Sequence, residues 1–143
     1  MAGMQGFRCW RGVSVLVGLL VLGLAPAWAQ VQLRCDVTYA GATRTLVARP
    51  VADPYGVAAE DIRGRFRFKA VVVGTPDRVE HINLYIYQSN AGQMLLVQQA
   101  KYLPPFAWPA HGGPLPLTGE QHLYAGPMER ELIYQCHLHR GLS

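Results

Sequence analysis

The side chains of this 143-residue chain best suited to chemistry are five histidines and three cysteines. His137-Leu138-His139 puts two imidazoles on one face of an extended strand, and Met94, Met128, His81, His111 and His122 are scattered elsewhere. Imidazole and thioether are suitable copper ligands, so His137 and His139 are the candidate metal residues. Their spacing fixes no third ligand, and solvated strand histidines account for the same pattern. Nucleophiles are scarce: beyond residue 29 the only serines are Ser89, in a turn, and Ser143, at the end. Glu60 with Asp61, or Glu129 with Glu131, could serve general acid-base work, but solvated charge beside a turn is the ordinary reading. No catalytic constellation emerges, so neither an enzyme nor a cofactor is expected.

The cysteines are best read with the N-terminus. Arg8 and Arg11 precede an uncharged apolar stretch of 12 residues, Val13 to Leu24, followed by Ala27-Trp28-Ala29. Those are the three regions of a secretory signal, expected to be cleaved after residue 29. A membrane-spanning helix needs about 20 apolar residues, so no stable membrane anchor is expected after cleavage. Residues 30–143 would form a single domain, located in the periplasm or secreted. Loss of the two arginines lowers the net charge from +4 to about +2. Such a charge gives no electrostatic footprint for nucleic acid. Cys9 leaves too, and Cys35 and Cys136 remain. In an oxidising compartment the pair reads as a disulfide, whereas a redox or metal pair usually has Cys-x-x-Cys spacing.

The elements that must position these residues alternate with period two. Val31, Leu33, Cys35, Val37 and Tyr39 share one side of a first strand; a turn at Gly41 leads into a return strand, Thr43 to Ala48. Pro50 and Pro54 open a loop to about Arg63, with one helical turn expected at Ala58 to Ile62. From Arg65 to Val73, Phe66, Phe68, Ala70 and Val72 face inward, while Arg65, Arg67 and Lys69 form an outward basic stripe. The stripe is either a solvated or edge-protecting face or a contact for an acidic partner or anionic polysaccharide. Val79 to Gln88 turns Ile82, Leu84 and Ile86 inward and Tyr85 and Tyr87 outward. A hairpin at Ser89 to Gly92 leads into Gln93 to Leu103.

From Leu103 to Gly119 the alternation stops. This stretch holds five prolines together with Phe106 and Trp108. Proline donates nothing to a ladder, so a central strand is excluded there. Phe106 and Trp108 either close one end of the core or form a binding loop. Two last strands, Gln121 to Ala125 and Glu129 to His139, place Cys136 on an apolar face.

The expected fold is all-β: a small antiparallel β-sandwich or partly closed barrel of about seven strands, closed by one Cys35–Cys136 disulfide. Many turns fit the 15 glycines and 10 prolines, and the charged fraction of 15% argues against disorder. The expected function is a non-enzymatic exported module that binds a protein or envelope component through Phe106, Trp108, Arg65, Arg67 and Lys69. The alternative is a periplasmic copper-binding protein.

Overall fold

A computed structural model describes residues 30–125 and 130–141. The expected signal segment, the Gly126-Pro127 turn with Met128 and Glu129, and Ser143 lie outside the described residues. The described residues form nine strands and no helix: β1 Gln30–Tyr39, β2 Ala42–Ala48, β3 Pro50–Val51, β4 Glu60–Ile62, β5 Phe66–Thr75, β6 Arg78–Asn90, β7 Gln93–Tyr102, β8 Leu115–Ala125 and β9 Arg130–Gly141. Two sheets result. One runs β2-β1-β9-β8; the other runs β3-β5-β6-β7, with β4 also on β5.

Alternation accounts for the strands and for what they bury. Leu33, Cys35 and Val37 on β1, Ile82, Leu84 and Ile86 on β6, and Leu132, Tyr134, Cys136 and Leu138 on β9 are all buried. Their polar neighbours face out, so the two sheets enclose one apolar layer. Aromatic rings knit it: Tyr39 meets Phe66, and Phe68 meets Tyr134, edge to face at 5.3 and 5.2 Å. The Tyr134 hydroxyl donates to Gln98 Oε1 across the layer at 2.9 Å. That bond gives a polar atom at the core's margin a partner, which burial otherwise makes costly.

The expected disulfide is present between Cys35 and Cys136. These residues are direct antiparallel partners on β1 and β9, so the bridge ties two neighbouring strands of one sheet. Opposite Cys136, β8 carries extra residues between Pro116 and Glu120, and the Thr118 hydroxyl accepts the Cys136 N–H at 2.9 Å. The side chain replaces the ladder bond that the irregularity removes.

The expected fold class holds, and four details of its elements differ. Nine strands replace about seven, because β3 and β4 are short segments on β5 that period-two patterning cannot register. The sheet is therefore not wholly antiparallel, as β3 runs parallel to β5. The proposed helical turn at Ala58 to Ile62 is instead the approach to β4, where Ile62 is buried and pairs with Phe66. The proline stretch ends at Leu115 rather than Gly119, because Pro116 lies on an edge strand, the sheet position that tolerates a missing donor.

Candidate binding surfaces

The outward side of β5, β6 and β7 gathers cations and tyrosines in register. Arg67 lies beside Tyr87, which lies beside Leu96; Lys69 lies beside Tyr85, then Gln99; Val71 lies beside Asn83, then Lys101. Facing side chains on adjacent strands sit roughly 4.5–5.5 Å apart at Cβ, so the rows share one face, with a register shift on β7 between the Tyr85 and Tyr87 rows. In the last row Asn83 Oδ1 is buried without a hydrogen-bond partner and Val71 beside it is buried, so the open part of the face lies at the Tyr85 and Tyr87 rows. Leu96 is 50% exposed, and Leu95 and Val97 beside it on the open edge strand β7 are 45% and 42% exposed. The stripe therefore belongs to a wider surface, but Arg65 leaves it: β5 begins at Phe66, and Arg65 lies in the preceding turn beside Arg63.

The second group from the sequence lies across the molecule. Phe106 and Trp108 are half-buried and pack against the core cluster, and the Arg140 guanidinium lies 4.0 Å over the Trp108 ring. A hollow of about 290 Å3 lies between Trp108, Gly113, Pro114, His139 and Arg140. The structure thus brings Trp108 close to His139, while Phe106 and Trp108 lie apart from Arg67 and Lys69. His137 pairs directly with Arg34 across the sheet. Burial, with Arg34 and His137 adding positive charge, holds the His139 imidazole below its ordinary range. Arg34 adds a fixed positive charge beside the two imidazoles, which disfavours a divalent cation there. Among the described residues no three of His, Cys, Asp and Glu gather into a metal-holding group.

A third cluster escaped sequence reasoning. His122 on β8 bonds Glu131 through Nδ1 and Glu120 through Nε2, the latter at 3.0 Å. Those two bonds raise the imidazole's pKa, and the same contact from His122, followed by Tyr124, lowers that of Glu131. The sequence view paired Glu131 with Glu129, its neighbour in the chain. Folding the β8 and β9 segments into a hairpin would have placed it diagonally opposite His122 instead.

A cleft of about 630 Å3 opens between β2 and the segment leading into β4, floored by Phe68 and Ala70. The Arg44 side chain crosses it, donating to the Asp61 carbonyl at 3.0 Å and lying 3.7 Å from the Glu60 carboxylate. No helix among the described residues is long and apolar enough to cross a membrane. Comparison with known protein families, curated proteins and solved structures finds no match for this chain.

Proposed function

We propose that the protein is a non-enzymatic, exported binding module that engages an acidic protein partner through the outward face of β5, β6 and β7. The observation that carries this reading is the registered array of Arg67, Lys69 and Lys101 around Tyr85 and Tyr87, bordered by exposed Leu96. Tyrosine and arginine are the side chains that most often anchor protein interfaces, and an apolar margin favours a protein over a plain polyanion. Positive charge here would steer an acidic partner and fix its orientation. The buried Cys35–Cys136 bridge supports a periplasmic or secreted location, since disulfides persist in oxidising compartments.

The test is binding of poly-L-glutamate and of an acidic polysaccharide, polygalacturonate, to the purified protein. Wild type should bind polyglutamate more tightly, with affinity falling as salt rises. The pair Arg67→Gln and Lys69→Gln should weaken it about tenfold or more, and Tyr85→Ala with Tyr87→Ala by a similar factor. Unchanged affinity in both pairs would defeat the reading, and preference for the polysaccharide would shift the partner class.

A further inference from the structure

We infer that Arg63, Arg65, Arg130 and the Tyr39 hydroxyl form a binding site for a multiply charged oxyanion of the phosphate class. The three arginines, with Tyr39 and Ala40, line one hollow of about 430 Å3 at the end of the sandwich where the β1–β2 turn, the β4–β5 turn and the start of β9 meet. This hollow is separate from the face assigned above to the acidic partner, and neither reading depends on the other.

Local structure presents the cations. Arg63 and Gly64 both adopt positive φ, 52° and 67°, and the Arg65 N–H donates to the Ile62 carbonyl at 3.2 Å. That is a tight reverse turn of the kind usually given to Asn-Gly, with an arginine at its first central position. The turn is fixed from both sides: Asp61 Oδ2 accepts the Gly64 N–H at 2.9 Å, and the Arg65 carbonyl accepts the Ser89 N–H at 2.7 Å. Arg63 and Arg65 are thereby carried on either side of one glycine in a fixed backbone turn, and Arg130 on β9 lines the same hollow.

Two further observations point to a ligand. No carboxylate among the described residues lies within salt-bridge distance of any of the three arginines, although Arg44, nearby in the fold, has Glu60. Tyr39 is only 5% exposed, lines the hollow, and has no hydrogen-bond partner for its hydroxyl among the described residues. That hydroxyl stands at the wall of the hollow as a donor with no acceptor of its own. A phosphate oxygen supplies that acceptor, and guanidinium forks match the remaining oxygens in planar, charge-assisted pairs.

The experiment is calorimetric titration of the protein with sodium pyrophosphate, and with phosphate and sulfate, at about 0.15 M salt, where exposed charges are screened beyond roughly 8 Å. Saturable binding at one site is expected, tightest for pyrophosphate. Arg63→Gln, Arg65→Gln and Arg130→Gln should each weaken it about tenfold, and Tyr39→Phe by a smaller factor, with melting temperatures confirming folded variants. Arg67→Gln should leave pyrophosphate affinity unchanged while weakening polyglutamate, which keeps failure of this inference distinct from failure of the proposed function. Vesicles of phosphatidic acid in phosphatidylcholine identify the source: capture that pyrophosphate reverses indicates a headgroup, and pyrophosphate binding without capture indicates a soluble anion. Absence of pyrophosphate binding, or equal affinity in the triple arginine variant, overturns the site.

Discussion

The two sheets use the same alternating patterning but manage their boundaries differently. In the sheet β2-β1-β9-β8, a disulfide joins the central strands. Its edge strand β8 carries Pro116, an irregular register, and Glu120 and His122, the latter bonded to Glu131 on β9. Each device discourages a further strand from adding there. In the other sheet, no covalent link is present among the described residues, and β7 is an edge of ten residues with no proline, a single charge at Lys101, and exposed Leu95, Leu96 and Val97. Both edges carry a register shift, on β8 between Pro116 and Glu120 and on β7 opposite Ile86 and Tyr87, so the difference between them lies in proline and charge, which mark β8 and are nearly absent from β7, where the proposed contact face lies. The open edge offers a partner both side chains and unpaired backbone.

The sharpest way to break this contrast is to remove the lock. Cys35→Ala with Cys136→Ala opens a link between residues 101 apart in sequence, and chain entropy assigns such a link about 4–5 kcal/mol. That rivals the net stability of a small domain. Urea unfolding should show the loss, and hydrogen exchange should show β1 and β9 amides becoming the least protected of the central strands. If β5 and β6 amides lose protection to the same extent, the sheets open as one unit and the contrast between them is not energetic.

A smaller effect compares the sheets directly, because each has a hairpin of the same design. Ala40-Gly41 joins β1 to β2, and Ala91-Gly92 joins β6 to β7; both alanines have positive φ, 50° and 49°. This geometry favours asparagine over alanine at the first position. Ala40→Asn and Ala91→Asn should each stabilise by about 0.5–1 kcal/mol in urea unfolding. Equal gains mean that both hairpins unfold with the whole domain. No gain from Ala91→Asn would mean that the β6–β7 hairpin opens before the rest.

These turns also show what the sequence disclosed. Gly41 and Gly92 were visible as turn residues, and the inward sets around Cys35, Phe68, Leu84 and Cys136 followed from alternation alone. Fold class, disulfide and most strand boundaries were therefore legible. What could not be read depended on pairing between distant segments. β3 and β4 are too short to have a period, Pro116 needed its edge position to be known, and Arg130 joins Arg63 and Arg65 only through the closing of two turns at one end. Arg67 and Lys69 were recognised as a stripe, yet their tyrosine neighbours became theirs only through the β5–β6 register. Side-chain alternation gives a residue's face; it gives no information about which strand lies beside it.

The smallest expected effect concerns the protection of β8 itself. His122 holds Glu131 and Glu120 through its two ring nitrogens, an arrangement that satisfies both carboxylates only when the imidazole is protonated. Its pKa is raised from 6.5 by the hydrogen bonds to Glu131 and then Glu120, so its contribution is fully present below pH 6.5 and is lost as pH rises through the raised value. Glu131 is shifted down from 4.5 by His122 and then Tyr124, so its contribution is present above pH 4.5 and is lost as pH falls through the lowered value. The clamp is therefore strongest between those two ordinary values, and because the groups are solvent-exposed the effect is small. Melting temperatures of wild type and His122→Gln should differ most near pH 5.5 and converge by about pH 8.5. A difference that stays constant across that range would show that the clamp adds no titratable stability. Since both edges have an irregular register, the distinction of β8 from β7 would then rest on Pro116 rather than on charge.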